Sequence, residues 1–184
     1  MALIIPQEFK LKNGMEVILR NCEDADAEMF FKFHALISSQ TQHTLFVENH
    51  PPDVHKLKKA WSSTNENLRD LRVAVFLKKE MIAMLGFQSE VHPWLIHSGH
   101  FGMMVLQDFW GQGIGQKLIE IMFHHAHSVG VERIEAKVRV GNDRGIGLYQ
   151  KMGFQIEGTR RLAVKIDGEY RDEYFIAKIF QDFE

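Results

Sequence analysis

HFGMMVLQDFWGQGIGQKLIEIMFHHAHSVG, residues His100 to Gly130, joins an apolar strand-like run to an amphipathic helix through a turn with glycine at every second position: Gly111, Gly113 and Gly115. Glycine has no Cβ, so a backbone built this way can take left-handed angles and approach a ligand closely. Beyond the turn, Ile114, Leu118, Ile121, Met122, Ala126 and Val129 recur at helical spacing. The first N–H groups of that helix, which have no partners within it, therefore open onto the loop. An anion, and a phosphate in particular, satisfies such donors.

The spacing separates three phosphate loops. A P-loop places Ser or Thr directly after Gly-Lys, whereas Lys117 follows Gln116 and is followed by Leu118, so no hydroxyl is placed for magnesium. A dinucleotide fingerprint needs a third glycine at a position occupied here by Ile114 or Leu118, depending on which glycine starts the count. What remains is Gly113-x-Gly115 opening a helix. Downstream stands a second segment, Asn142-Asp-Arg-Gly-Ile-Gly-Leu-Tyr-Gln-Lys-Met-Gly-Phe154. Asn142 suits an N-cap, Asp143 the positive end of a helix, and Gly153 a left-handed stop. Gly145 and Gly147 inside it predict a locally soft helix, at up to about 1 kcal/mol each relative to alanine.

Together the two segments resemble the GNAT superfamily of acyl-CoA-dependent N-acyltransferases. The first is similar to the family's Arg/Gln-x-x-Gly-x-Gly/Ala loop, with Trp110 at the Arg/Gln position. The second is similar to N-x-x-A-x-x-L-Y-x-K-x-G-F, matched at Asn142, Leu148, Tyr149, Lys151 and Gly153-Phe154, with Gly145 in place of alanine. The resemblance implies acetyl-CoA as co-substrate and no metal. It implies a pyrophosphate on the loop Gly111, Gln112, Gly113, Ile114, Gly115 and Gln116, a pantetheine arm along Met103, Met104 and Val105 with Asn142 nearby, and Tyr149 as general acid at the sulfur. For a base acting on the amine, His100 on the incoming strand and Glu48 in the loop between the first two helices are the candidates. Segment Ile166 to Tyr174 and Phe109-Trp110 look like the branch that includes ribosomal-protein N-terminal, polyamine and antibiotic acetyltransferases.

The rest of the chain fits this frame. Met15 to Arg20 alternates as a strand, and Ala27, Phe30, Phe31, His34, Leu36 and Ile37 form a helical face. Asp53 to Trp61 reads as a second helix behind Pro51 and Pro52, with a loop from Thr44 to Pro52 before it. Leu71 to Leu77 and Met81 to Gln88 form a hairpin, Gly99 to Leu106 and Ile134 to Val140 are strands, and Phe154 to Ile166 with Tyr170 to Phe180 flank a tight Asp167-Gly168 turn. The expected order is β-α-α-β-β-β-α-β-α-β-β. This is a mixed α/β domain over residues 1–184, with a mostly antiparallel central sheet, one splayed parallel pair and flanking helices.

Bulk properties exclude other classes. With 22 Lys and Arg against 24 Asp and Glu, a net charge of −2 and no basic run, nothing marks a nucleic-acid surface. The apolar run in MALIIPQEFK is too short for a signal or membrane span, and the lone Cys22 has no partner for a disulfide, so a cytoplasmic protein is expected. Ten histidines raise a metal question, but His124, His125 and His127 lack the i, i+4 spacing of a zinc helix. The functional expectation is transfer of acetyl from acetyl-CoA to a primary amine of a small molecule or peptide, by direct attack in a ternary complex. The competing reading is a non-catalytic acyl-CoA-binding module. The resemblance implies that the acceptor enters between the Thr44 to Pro52 loop and the Asp167-Gly168 hairpin, where Glu48 and Asp53 on one side and Asp167, Glu169, Asp172 and Glu173 on the other suggest a cationic acceptor; a homodimer is compatible with the sequence.

Overall fold

The computed structural model describes residues 4–44 and 53–180. In chain order the elements are β1 (Gln7–Lys10), β2 (Glu16–Asn21), α1 (Ala27–Gln40), α2 (Val54–Glu66), β3 (Leu71–Leu77), β4 (Glu80–Ser89), β5 (Ser98–Val105), α3 (Ile114–Ser128), β6 (Arg133–Arg139), α4 (Asp143–Lys151), β7 (Gln155–Ile166) and β8 (Glu169–Ile179). Short 3-10 turns at Asp24–Asp26 and Gln107–Phe109 precede α1 and the glycine loop. The strands form one sheet in the order β1-β2-β3-β4-β5-β6-β8-β7. Every neighbouring pair is antiparallel except β5 with β6.

The parallel pair decides where a ligand can go. β5 and β6 are in register only at Ser98–Arg133, Gly99–Ile134 and His100–Glu135, although β5 runs on to Val105 and β6 to Arg139. Past His100 the two strands part, leaving the inner edge of β5 unpaired by β6. Such a crossover needs a long connection, and α3 supplies it.

Burial explains why the centre of the sheet reads as unbroken apolar runs. Val73 to Phe76 on β3 and Met81 to Leu85 on β4 are buried residue after residue, which requires cover on both faces. α1 and α2 supply one cover, through Phe30, Phe33, Ile37 and Trp61; α3 supplies the other, through Ile114, Leu118, Ile119 and Met122. Phe30 meets Trp61 edge-on at 5.5 Å between ring centroids, which locks the two helices together.

The structure differs from expectation in three places. β1 was not anticipated: four residues of mixed polarity on a sheet edge leave no periodic signal. On α1 the buried face takes Phe33 in place of Leu36, which is exposed, and of Phe31, which is only partly covered. α2 extends to Glu66, capped at its start by Asp53, whose carboxylate accepts the N–H groups of His55 and Lys56 at 2.8 and 3.0 Å. The Asp167-Gly168 turn does form. Both residues have positive φ, 50° and 85°, between the paired ends Ile166 and Glu169.

Candidate active site

The three loop glycines do two different jobs. Gly111 and Gly113 have φ of 76° and 93°, and Gly113 is the left-handed N-cap of α3. A Cβ on Gly113 would meet nothing within 4 Å, so the space above it is open. Gly115 is there for packing: a Cβ would come within 2.7 Å of Leu148 Cδ2, so its absence lets α3 and α4 lie close together. No side chain caps α3, and the first bond within the helix runs from the Lys117 N–H to the Gly113 carbonyl at 3.1 Å. The amides of Ile114, Gly115 and Gln116 are thus left facing outward.

Around this loop lies a cavity of about 290 Å³. Its walls include Met103, Met104 and Val105 of β5, the loop residues Gly111, Gly113, Ile114, Gly115 and Gln116, and Asn142. Gln112 is not among them; its side-chain carbonyl instead accepts the Asn13 N–H at 3.0 Å and ties the loop to the turn between β1 and β2. Trp110 donates its indole N–H to the Val105 carbonyl at 2.7 Å. The Arg144 guanidinium stacks over that indole, 5.0 Å from the ring centroid, and Arg144 also lines the cavity. The charge that an Arg at position 110 would have carried therefore arrives from α4, joined by Lys12 and Lys151 at the rim.

Asn142 caps α4 as its sequence suggests, accepting the Gly145 N–H at 3.1 Å. That short helix delivers Tyr149 inward, where its ring packs edge-on against Phe101 and Phe154, each at 5.7 Å. Its hydroxyl has no hydrogen-bond partner among the described residues, and burial pushes its pKa up to about 12.

A second cavity, of about 460 Å³, opens on the α1 and α2 side of the sheet, lined by Phe30, Trp61, Arg72, Gly86, Gly102 and Val138 among others. It meets the first at His43, Thr44, Met103, Met104, Asn142 and Tyr149, which line both. His43 carries a pKa held below its ordinary 6.5, first by burial and then by the Arg139 guanidinium, against a weaker pull from Asp143. Arg139 also bonds the Thr44 carbonyl at 3.0 Å and so positions this segment.

The bases named from sequence fare differently. His100 lines neither cavity; its ring lies 3.2 Å from Gln88 Oε1 and 3.8 Å from Glu90 Oε1, with 55% of the side chain exposed. Glu48 lies outside the described residues. His43 was missed because nothing in its local sequence marks it; only the folded segment after α1 brings it to the junction. Among the described residues no group of three His, Cys, Asp or Glu could hold a metal, and no helix is long and apolar enough to cross a membrane.

A family model described as the acetyltransferase (GNAT) domain matches residues 16–155. The chain is a GNAT acetyltransferase. Among curated proteins it is similar to the L-amino acid N-acetyltransferase AaaT of Escherichia coli (strain K12), 28% identical over 169 residues that cover 89% of this chain and 98% of that one. Among solved structures it resembles a GNAT-family acetyltransferase from Streptococcus pneumoniae, with TM-score 0.83, 22% identity and coverage of 89% and 99%. It also resembles yncA from Salmonella typhimurium, solved with acetyl-CoA, with TM-score 0.78, 14% identity and coverage of 90% and 95%. Both structural likenesses speak to the fold. Acetyl-CoA is the co-substrate of this GNAT enzyme. The residues present fit it: uncapped amides at a helix N-terminus, an open space above Gly113, and cations at the rim.

Proposed function

We propose that this GNAT enzyme transfers acetyl to a primary amine of a small molecule by direct attack within a ternary complex, with the cofactor in the loop cavity and the acceptor in the cavity beneath α1 and α2. The observation that carries this reading is the junction: Tyr149 lines both cavities at once, and so do Met103 and Met104. Two ligands entering from opposite sides of the splayed strands would meet there.

Bound acetyl-CoA supplies an acetyl thioester. The amides of Ile114, Gly115 and Gln116, with Arg144 and Lys151, hold the phosphates, and the unpaired edge of β5 at residues 103–105 orients the arm. A backbone N–H on that edge polarises the carbonyl. His43, whose pKa burial holds below its ordinary value, takes a proton from the amine. Tyr149 then stands at the sulfur. Burial raises the Tyr149 phenol to about 12, so it stays protonated through neutral pH and can donate to the sulfur. Tyr149 accordingly works as a hydrogen-bond donor to the departing sulfur, and the net proton comes from the amine.

Of the acidic groups expected to attract a cation, Glu48 lies outside the described residues and Glu169, Asp172 and Glu173 are engaged elsewhere. Asp172 accepts the Leu162 N–H at 2.7 Å, Glu173 pairs with Arg160 at 3.2 Å, Glu169 pairs with Arg171, and none of these three lines either cavity. The described walls of the acceptor cavity carry cations and no carboxylate, which favours an acceptor with a negative group over a purely cationic one.

The test is release of free thiol from acetyl-CoA by the purified protein across an amine panel. Amine-dependent release with a matching N-acetyl product supports the enzyme reading. Acetyl-CoA binding without release under any amine would return the chain to the non-catalytic binding module.

A further inference from the structure

Among the described residues, the acceptor cavity contains a cation with no ion-pair partner. Arg72 of β3 lines it, and its Nε and Nη1 are buried without a hydrogen-bond partner among the described residues. It forms no ion pair there either. The carboxylate nearest in sequence, Asp70, is occupied by the N–H and hydroxyl of Ser89 at 2.9 and 3.0 Å. The Trp61 ring, 5.8 Å from the guanidinium carbon, gives partial compensation only. Burial pulls the Arg72 pKa down, opposed by Cys22 and Asp70. A charge kept in such a place without partners is costly, and a ligand of opposite charge would offset that cost.

The sheet clears a path for this side chain. Arg72 is in register with Gly86 on β4, and Gly86 with Gly102 on β5, so the three residues lie side by side on one face. A Cβ on either glycine would meet nothing within 4 Å, and both glycines line the cavity. Three strands at their usual spacing set the Arg72 and Gly102 backbones ~10 Å apart. Arg72 and this bare lane, which ends at Gly102, the residue before Met103, line the same cavity. The other cation of the cavity, Lys137, is exposed, with its ammonium 6.0 Å from the Phe175 ring centre.

We propose that Arg72 binds a carboxylate on the acceptor, which makes the acceptor an amino acid or close analogue with its amine and carboxylate a short spacer apart. This rests on the transferase reading above. A guanidinium fork matches a carboxylate with two parallel hydrogen bonds, and Nε with one terminal nitrogen is a suitable pair of donors.

The experiment uses the purified full chain, acetyl-CoA, and free amino acids beside their own amides and decarboxylated amines. The wild-type protein should acetylate its preferred amino acid with kcat/KM at least tenfold above the matching amide. Arg72→Gln should raise KM for the acid at least tenfold while leaving the amide rate and the acetyl-CoA Kd unchanged, and Arg72→Lys should recover part of the loss. Gly86→Val keeps the cation and fills the lane, so it should raise acceptor KM with cofactor affinity intact; it carries the test if Arg72→Gln does not fold. Calorimetry with the amino acid alone, on protein saturated with CoA, reads the site without turnover. Binding that needs Arg72, with no amine acetylated, would remove the transferase reading and keep the carboxylate site. Amides that match acids in the wild type, or an Arg72→Gln protein that slows both equally, would overturn the proposal.

Discussion

The two cavities that meet at Tyr149 are built from different materials. The cofactor side is made largely of backbone: amides at the α3 N-terminus, the free edge of β5, and left-handed glycines that keep both accessible. The acceptor side is made largely of side chains from elements far apart in sequence, among them Phe30 on α1, Trp61 on α2, Arg72 on β3 and Val138 on β6. Backbone sites tolerate most substitutions but fail outright when a glycine is lost. Side-chain sites change by degrees, and can be retuned for a new acceptor without disturbing the cofactor.

The sharpest way to break this contrast is at Gly113. Gly113→Asp adds a carboxylate to the phosphate space and forces a non-glycine residue to φ of 93°. Acetyl-CoA affinity should drop at least a hundredfold in protein shown by circular dichroism to be folded. Unchanged affinity by calorimetry would mean that the phosphates lie elsewhere. Next in size is Tyr149→Phe, which removes one donor at the sulfur and leaves the ring packing against Phe101 and Phe154 in place. Turnover should fall by about ten- to a thousandfold with cofactor Kd nearly constant. An unaltered kcat would reduce Tyr149 to a packing residue.

Smaller again is the effect at His43. Its pKa is lowered, so the neutral, proton-accepting form persists below the ordinary 6.5, and kcat at saturating acceptor should stay level through neutral pH and decline only in more acidic solution. His43 is exposed enough for water to replace it in part, so His43→Ala should cost about tenfold and abolish that acidic decline. A mutant with the same decline would assign it to another group. His100→Ala is the matched control, and it should leave both rate and profile unchanged.

What could be read from the sequence follows the same division. The glycine loop, the Asn142 cap and the Asp167-Gly168 turn are local backbone events, fixed by residues within a few positions of one another, and they are found where their residues stand. The central hairpin is legible for the same reason, since its two apolar runs are separated by only Lys78-Lys79-Glu80. The acceptor cavity is not. Arg72, Gly86 and Gly102 are spread over 31 positions and become neighbours only through the β3-β4-β5 register, which no local pattern encodes. His43 depends on how the segment after α1 is held by Arg139, nearly a hundred residues away. His100 misled because the strand was right and the position was not: it lies in the last register pair before β5 and β6 separate, on the closed side of the wedge.

The smallest expected effect sits where backbone and side-chain building meet, at Trp110 and Arg144. The loop lacks the usual Arg or Gln at position 110, and the structure places a guanidinium over the indole there, with one of its terminal nitrogens 3.8 Å from where a Cβ on Gly111 would be. If Arg144 serves the phosphates, Arg144→Gln should weaken acetyl-CoA binding about threefold to tenfold at low salt. The difference should shrink as ionic strength rises, because an exposed charge acting on phosphate is screened beyond ~8 Å at physiological salt. Kinetic constants for the acceptor should not move. Trp110→Phe keeps a ring under the guanidinium but loses the hydrogen bond to Val105, so it should disturb the end of β5 and raise KM for both ligands. A salt-independent loss in Arg144→Gln would show instead that the arginine only packs on Trp110, leaving the loop amides, Lys12 and Lys151 to neutralise the cofactor.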